Sequence, residues 1–127
     1  MENIYFCMAI SFLFIHELDA IKAKEWKLFI VLKDLKEETA YTIWLALHFP
    51  LFLFPLMIVS NVFQPENEKL MKLGIDLFLI IHLFLHIRFR NDKDYQFTSI
   101  QSNIYIILTT IFAILDLTLI DFNFYLS

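Results

Sequence analysis

The stretch YTIWLALHFPLFLFPLMIVSNVF, Tyr41–Phe63, runs for 23 residues without a formal charge. As a helix rising about 1.5 Å per residue it is long enough to cross a hydrocarbon core roughly 30 Å thick. Pro50 and Pro55 would break a helix in water, but they are tolerated in a membrane span, where neighbouring groups satisfy the freed carbonyls. Composition agrees with a membrane protein. Of 127 residues, 59% are hydrophobic, 15 are Phe and one is Gly, and mean hydropathy is +0.64. Soluble domains are closer to half apolar and richer in glycine.

Working outward, three more apolar segments appear. Ile100–Ile120 carries one charge, Asp116, and Leu70–Phe89 is apolar between Lys72 and Arg88, with Asp76, His82 and His86 embedded. At the N-terminus, Asn3–Ile15 is too short to span. A signal peptide is disfavoured, because Glu2 stands where a basic region belongs and no small-x-small cleavage site follows. To cross, this helix must continue through His16, Glu17 and Asp19 to about Lys22, which places those polar residues within the membrane. The expected fold is an all-α integral membrane protein, an antiparallel up-down four-helix bundle forming one domain, 1–127. Its spans are about 2–22, 40–63, 70–89 and 100–121.

Between the spans, Asp34-x-x-Glu37 reads as a capping box opening the second helix. Trp26–Leu32, WKLFIVL, reads as interfacial, with Glu25 and Trp26 anchoring at headgroup depth. Gln64–Glu68 and Asn91–Asp94 read as turns. The loop regions before the second and fourth helices hold eight of the ten Lys and Arg residues, while Lys69 and Lys72 lie between the second and third spans. The positive-inside rule then puts both basic loops in the cytoplasm and both termini outside, as expected for a multi-pass membrane protein. The lipid bilayer is the one partner implied. A net charge of −4 with no basic block argues against nucleic acid. Cys7 alone cannot form an internal disulfide, and no nucleophile elbow, phosphate loop or cysteine cluster occurs.

Histidine placement is the chemical signal. Counted from the basic ends, His16, His48, His82 and His86 fall roughly 8, 12, 10 and 5 Å deep, so residues from three helices share one layer. His82 and His86, four apart, face the same way. Glu17 and Asp19 flank the face centred on His16, and Tyr105 lies at a similar level. In the last span Ser102, Thr109, Asp116 and Asn123 recur every seven residues, a polar seam that should face the bundle. Asp76 and Asp116 lie deeper, placed to share a proton or to bond Thr109.

Three readings of the layer compete. His16, His48, His82 and His86 suit zinc or iron ligation, with Glu17 or Asp19 as carboxylate ligand or general base and Tyr105 as a supporting donor. Bis-histidine haem ligation by His48 with His82 or His86 is less favoured, because so little glycine leaves scant room for a porphyrin. The third is a hydrogen-bonded core that only holds helices together. If the site is catalytic, its substrate is a lipid-like or quinone-like molecule entering from the membrane.

HELDAIKAKEW at His16–Trp26, LHFPLF at Leu47–Phe52 and HLFLH at His82–His86 resemble an uncharacterised family of small four-span bacterial membrane proteins. The resemblance runs to about Arg90. It implies four spans and marks His16, Glu17, Asp19, Glu25, Trp26, His48, His82 and His86, but it implies no reaction.

Overall fold

The computed structural model describes residues 3–126, with side chains placed as far as residue 119. Four helices are present: α1 (Ile4–Lys22), α2 (Glu37–Val59), α3 (Pro65–Phe89) and α4 (Ile100–Leu126), with one 3₁₀ turn at Glu25–Leu28. Each is long and apolar enough to cross a membrane. Asn123 lies outside the described side chains.

Lipid-facing and buried surfaces separate cleanly. Phe49, Leu56, Phe84 and Ile104 are exposed, which suits hydrocarbon and would be costly in water. The seam residues Ser102, Thr109 and Asp116 are buried instead, as a helix with one polar stripe must arrange in lipid. α1 packs chiefly on α4, and α4 on α3, whereas α2 leans on α3 and on the 3₁₀ turn. Ala9, Leu13, Leu79 and Ala113 form an apolar core across the first, third and fourth helices. A second core gathers Ala20, Trp26, Ala40, Trp44 and Phe97 at the end that carries the basic loops.

Four local expectations change. The capping box is absent: α2 starts at Glu37 behind Lys36, with no side-chain cap. Gln64–Glu68 is not a free turn but the start of α3, with Pro65 in its first turn, where a missing N–H costs nothing. Trp26 does not anchor in the headgroups. It is 6% exposed and packs against Tyr41 and Trp44, with Glu25 buried beside it. Lys72 is not a loop cation; it is buried within α3 and paired with Asp116.

The turns have identifiable chemistry. After α2, Asn61 takes the left-handed conformation with φ 53°. Val62 N–H donates to the Met57 carbonyl and Asn61 N–H to that of Ile58, the bonding of a Schellman cap with Asn in place of glycine. After α1 the equivalent left-handed residue is Lys24, φ 51°, and this reversal delivers Glu25 to the site.

Candidate metal centre

α1 contributes His16 and α3 contributes His82 and His86 one turn apart; their rings meet at a single point. His16 Nε2 lies 3.1 Å from His86 Nε2 and 3.2 Å from His82 Nε2. A neutral imidazole has only one N–H, so three Nε2 atoms facing one another cannot all be satisfied by hydrogen bonds among themselves. With metal–nitrogen bonds of about 2.0–2.1 Å, tetrahedral ligation sets nitrogens about 3.3–3.4 Å apart. The observed separations are close to that value.

Glu25 supplies the fourth donor. Its Oε1 is 3.8 Å from His82 Nε2 and 3.6 Å from His86 Nε2, and its Oε2 accepts from Trp44 Nε1 at 3.2 Å. One ligand atom from each of His16, Glu25, His82 and His86 lies within 4.8 Å of the others, and all four residues are buried. Burial alone would raise the Glu25 carboxyl, but the close imidazoles of His86, His82 and His16 outweigh that and hold it below the usual carboxylate range.

The surrounding contacts orient the ligands. His86 Nδ1 lies 3.1 Å from the Tyr95 hydroxyl. With Nε2 kept free for a metal, Nδ1 carries the hydrogen and donates, an arrangement typical of metal-bound histidine. Burial raises the Tyr95 phenol, so it keeps its own proton as well. Phe97 stacks on His16 at 5.2 Å between centroids and meets His86 edge-on at 4.6 Å.

His48 stands beside this group. Its Nδ1 donates to the Trp44 carbonyl at 2.7 Å, and its Nε2 is 2.7 Å from Glu17 Oε2. A carbonyl can only accept, so Nδ1 is protonated and one further proton lies between Nε2 and Glu17. Glu17, Glu25 and His48 form a second group of possible ligand atoms within 4.8 Å, with Glu25 common to both groups. Asp19 sits at the edge, accepting from Ser102 on α4. Tyr105 is half-buried; its carbonyl accepts from Thr109, and among the described residues its hydroxyl bonds to none of the cluster. Tyr95, accepting from His86 Nδ1, occupies the supporting position expected of Tyr105.

Beside the cluster, a cleft of ≈ 460 Å³ runs between α2 and α3. Pro50, Phe54 and Phe78 line it, and Glu17, His48 and His82 also border it. Gly74 faces it too, with open space where a Cβ would stand.

Sequence reasoning from depth and helix face gave too little weight to Glu25, Tyr95 and Phe97, which lie in connecting segments where a helical count does not apply. For Glu25 a signal existed in the KEW motif; for Tyr95 and Phe97 there was none.

Among curated proteins and solved structures, none matches this chain. A family model described as a family of unknown function, DUF6713, matches residues 2–122, and the four-helix chain with its buried histidine–glutamate cluster belongs to that family.

Proposed function

We propose that this protein is a membrane metalloprotein in which His16, His82, His86 and Glu25 hold a zinc or iron ion, and that it acts on a lipid-like substrate. The observation that carries the metal is the convergence of three Nε2 atoms at 3.1 and 3.2 Å with a buried carboxylate beside them. The donor set suits either ion. A porphyrin fits less well, because both ring nitrogens of His48, which would ligate it opposite His82 or His86, are engaged by the Trp44 carbonyl and by Glu17. A purely structural core gives no reason for three imidazole Nε2 atoms to crowd together.

The bound ion would supply Lewis acidity toward an oxygen of the substrate. The chain's own contribution is the Glu17–His48 pair, which holds one proton at the wall of the cleft and can give or take it as general acid or base. The mostly apolar lining of the cleft supports a substrate that arrives through the bilayer. Asp19 keeps α1 in register with α4 through Ser102. Tyr105 is left without a chemical role. A position in a bacterial inner membrane, with both termini outward and the cluster toward the cytoplasm, is supported by the basic loops at the cluster's end.

Metal analysis of detergent-purified protein tests the reading, together with an absorbance scan for haem. Stoichiometric zinc or iron is expected, lost on His16→Ala and on the pair His82→Ala with His86→Ala. Protein that stays metal-free after incubation with both ions, or that keeps its metal in the double variant, would overturn it.

A further inference from the structure

In the half of the bundle remote from the basic loops, a second polar group is sealed from solvent. Lys72 Nζ lies 3.0 Å from Asp116 Oδ2 and 3.3 Å from Asp116 Oδ1, and it donates to Asn3 Oδ1 at 3.0 Å. Its ammonium also sits 5.3 Å from the centroid of the Phe6 ring. One turn along α3, Asp76 is 0% exposed, and among the described residues neither of its carboxyl oxygens has a hydrogen-bond partner. Asp116 is equally buried. Among the described residues, the charged groups facing Asp76 are Asp116 from α4 and Lys72 from α3, while Asn3, capping α1, brings an uncharged amide and α1 the Phe6 ring.

Charge counting then decides what the group must hold. Among the described residues, two carboxylates and one ammonium leave one negative charge unbalanced inside the bundle, where an unpaired ion is costly. Lys72 is already committed to Asp116, so the uncompensated oxygens are those of Asp76. A metal cation would need several oxygen donors. Here Asn3 Oδ1 is engaged by Lys72, and the nearby Thr109 hydroxyl donates to the Tyr105 carbonyl.

We propose that Asp76, with Asp116 and Lys72, forms a proton-binding site in this half of the bundle that holds one exchangeable proton on the aspartate pair. It is separate from the histidine cluster. Asp76 lies six residues from His82, about 9 Å along the helix, and the Ala9–Leu13–Leu79–Ala113 core occupies the interval. The buried hydroxyls at that level, Thr109 and Thr110, donate to the Tyr105, Ile106 and Leu79 carbonyls and are not free to pass a proton onward. The site therefore exchanges its proton without drawing on the metal chemistry.

Infrared spectroscopy of the full chain in nanodiscs, labelled with ¹³C-aspartate, tests this near neutral pH. A carboxylic-acid C=O band that shifts with the label is expected, absent in Asp76→Asn and unchanged by metal chelation. Lys72→Met removes the one cation the site holds among the described residues, so a second proton should enter and roughly double the band; this arm reads the site even if Asp76→Asn fails to fold. A wild-type protein with no label-sensitive acid band would overturn the proposal, as would a band retained in Asp76→Asn. So would a band bleached when sodium replaces choline at constant pH, since the ligand would then be a metal cation.

Discussion

At Glu25 two demands meet: a carboxylate must be buried, and it must stay charged. Trp44 Nε1 donates to one oxygen, while His82 and His86 face the other, so the negative charge is solvated by the site itself. Glu25→Gln keeps the shape and the Trp44 bond but removes the charge that a metal needs. Metal affinity, measured by competition with a chelating dye, should fall by more than a supporting residue could cause. Tyr95→Phe gives that comparison: it removes the partner of His86 Nδ1, and loss of such a contact costs about 10–100-fold in affinity. If Tyr95→Phe lowered affinity more than Glu25→Gln, Glu25 would not be a ligand. The difference between these two residues also shows what a sequence can disclose. His16, His82 and His86 were legible because α-helices have a fixed rise and turn, which makes depth and face countable. Glu25 and Tyr95 reach the same point through a left-handed residue and a loop, and neither follows a period.

Elements act on the site through two backbone positions. Lys24 adopts φ 51° in a place where glycine would be unstrained, at a cost of about 1–2 kcal/mol for a residue with a side chain. Its exposed pairing with Glu37 offsets little of that. Lys24→Gly should therefore keep thermal stability and metal content, while Lys24→Val, β-branched and poorly suited to positive φ, should lower both. Equal behaviour of the two variants, measured by thermal unfolding in detergent with metal analysis, would show that the turn does not position Glu25. The second position is Gly74, the only glycine in the chain. A Cβ there meets nothing within 4 Å, and replacing glycine within a helix gains up to about 1 kcal/mol. Gly74→Leu should fold and retain metal yet fill the cleft, so lipid co-purifying with the wild type should be lost. Lipid retained in this variant would count against the cleft as the route of entry. The cleft itself was not legible in the sequence, because it depends on how α2 leans on α3, and apolar helices with several equivalent faces do not encode that angle. The four helices were legible, since length and hydropathy suffice. Their starts were less so: Pro65, read as part of a turn, begins α3, and α2 begins at Glu37 behind Lys36, two residues later than a capping box at Asp34 implied.

Across the whole molecule, charge divides the bundle into two ends with different chemistry. His82 and His86 lie in the last third of α3, close to the basic loops, whereas Lys72 and Asp76 lie toward its start. With Lys72 withdrawn into the bundle against Asp116, Lys69 is the one remaining basic residue at the remote end among those described. Eight basic residues stand at the other end. The positive-inside preference thus becomes steeper once the fold is known, because a buried, ion-paired lysine does not act as a loop charge. A reporter active only outside the cytoplasm, fused after Ser127, should be active, and one fused within Lys27–Lys36 should be silent. The opposite pattern would invert the molecule. It would move the histidine cluster to the outer face, where its metal would come from outside the cell, and the aspartate pair to the cytoplasmic side, where its proton would equilibrate with the cell interior. In the expected orientation the two proposed sites would draw on opposite compartments: metal would reach the cluster from the cytoplasm, and protons would reach Asp76 from outside. The apolar layer of Leu13, Leu79 and Ala113 between them has a physical purpose in either case. Without it, a chain of buried acids and imidazoles would cross the membrane and let protons leak along it.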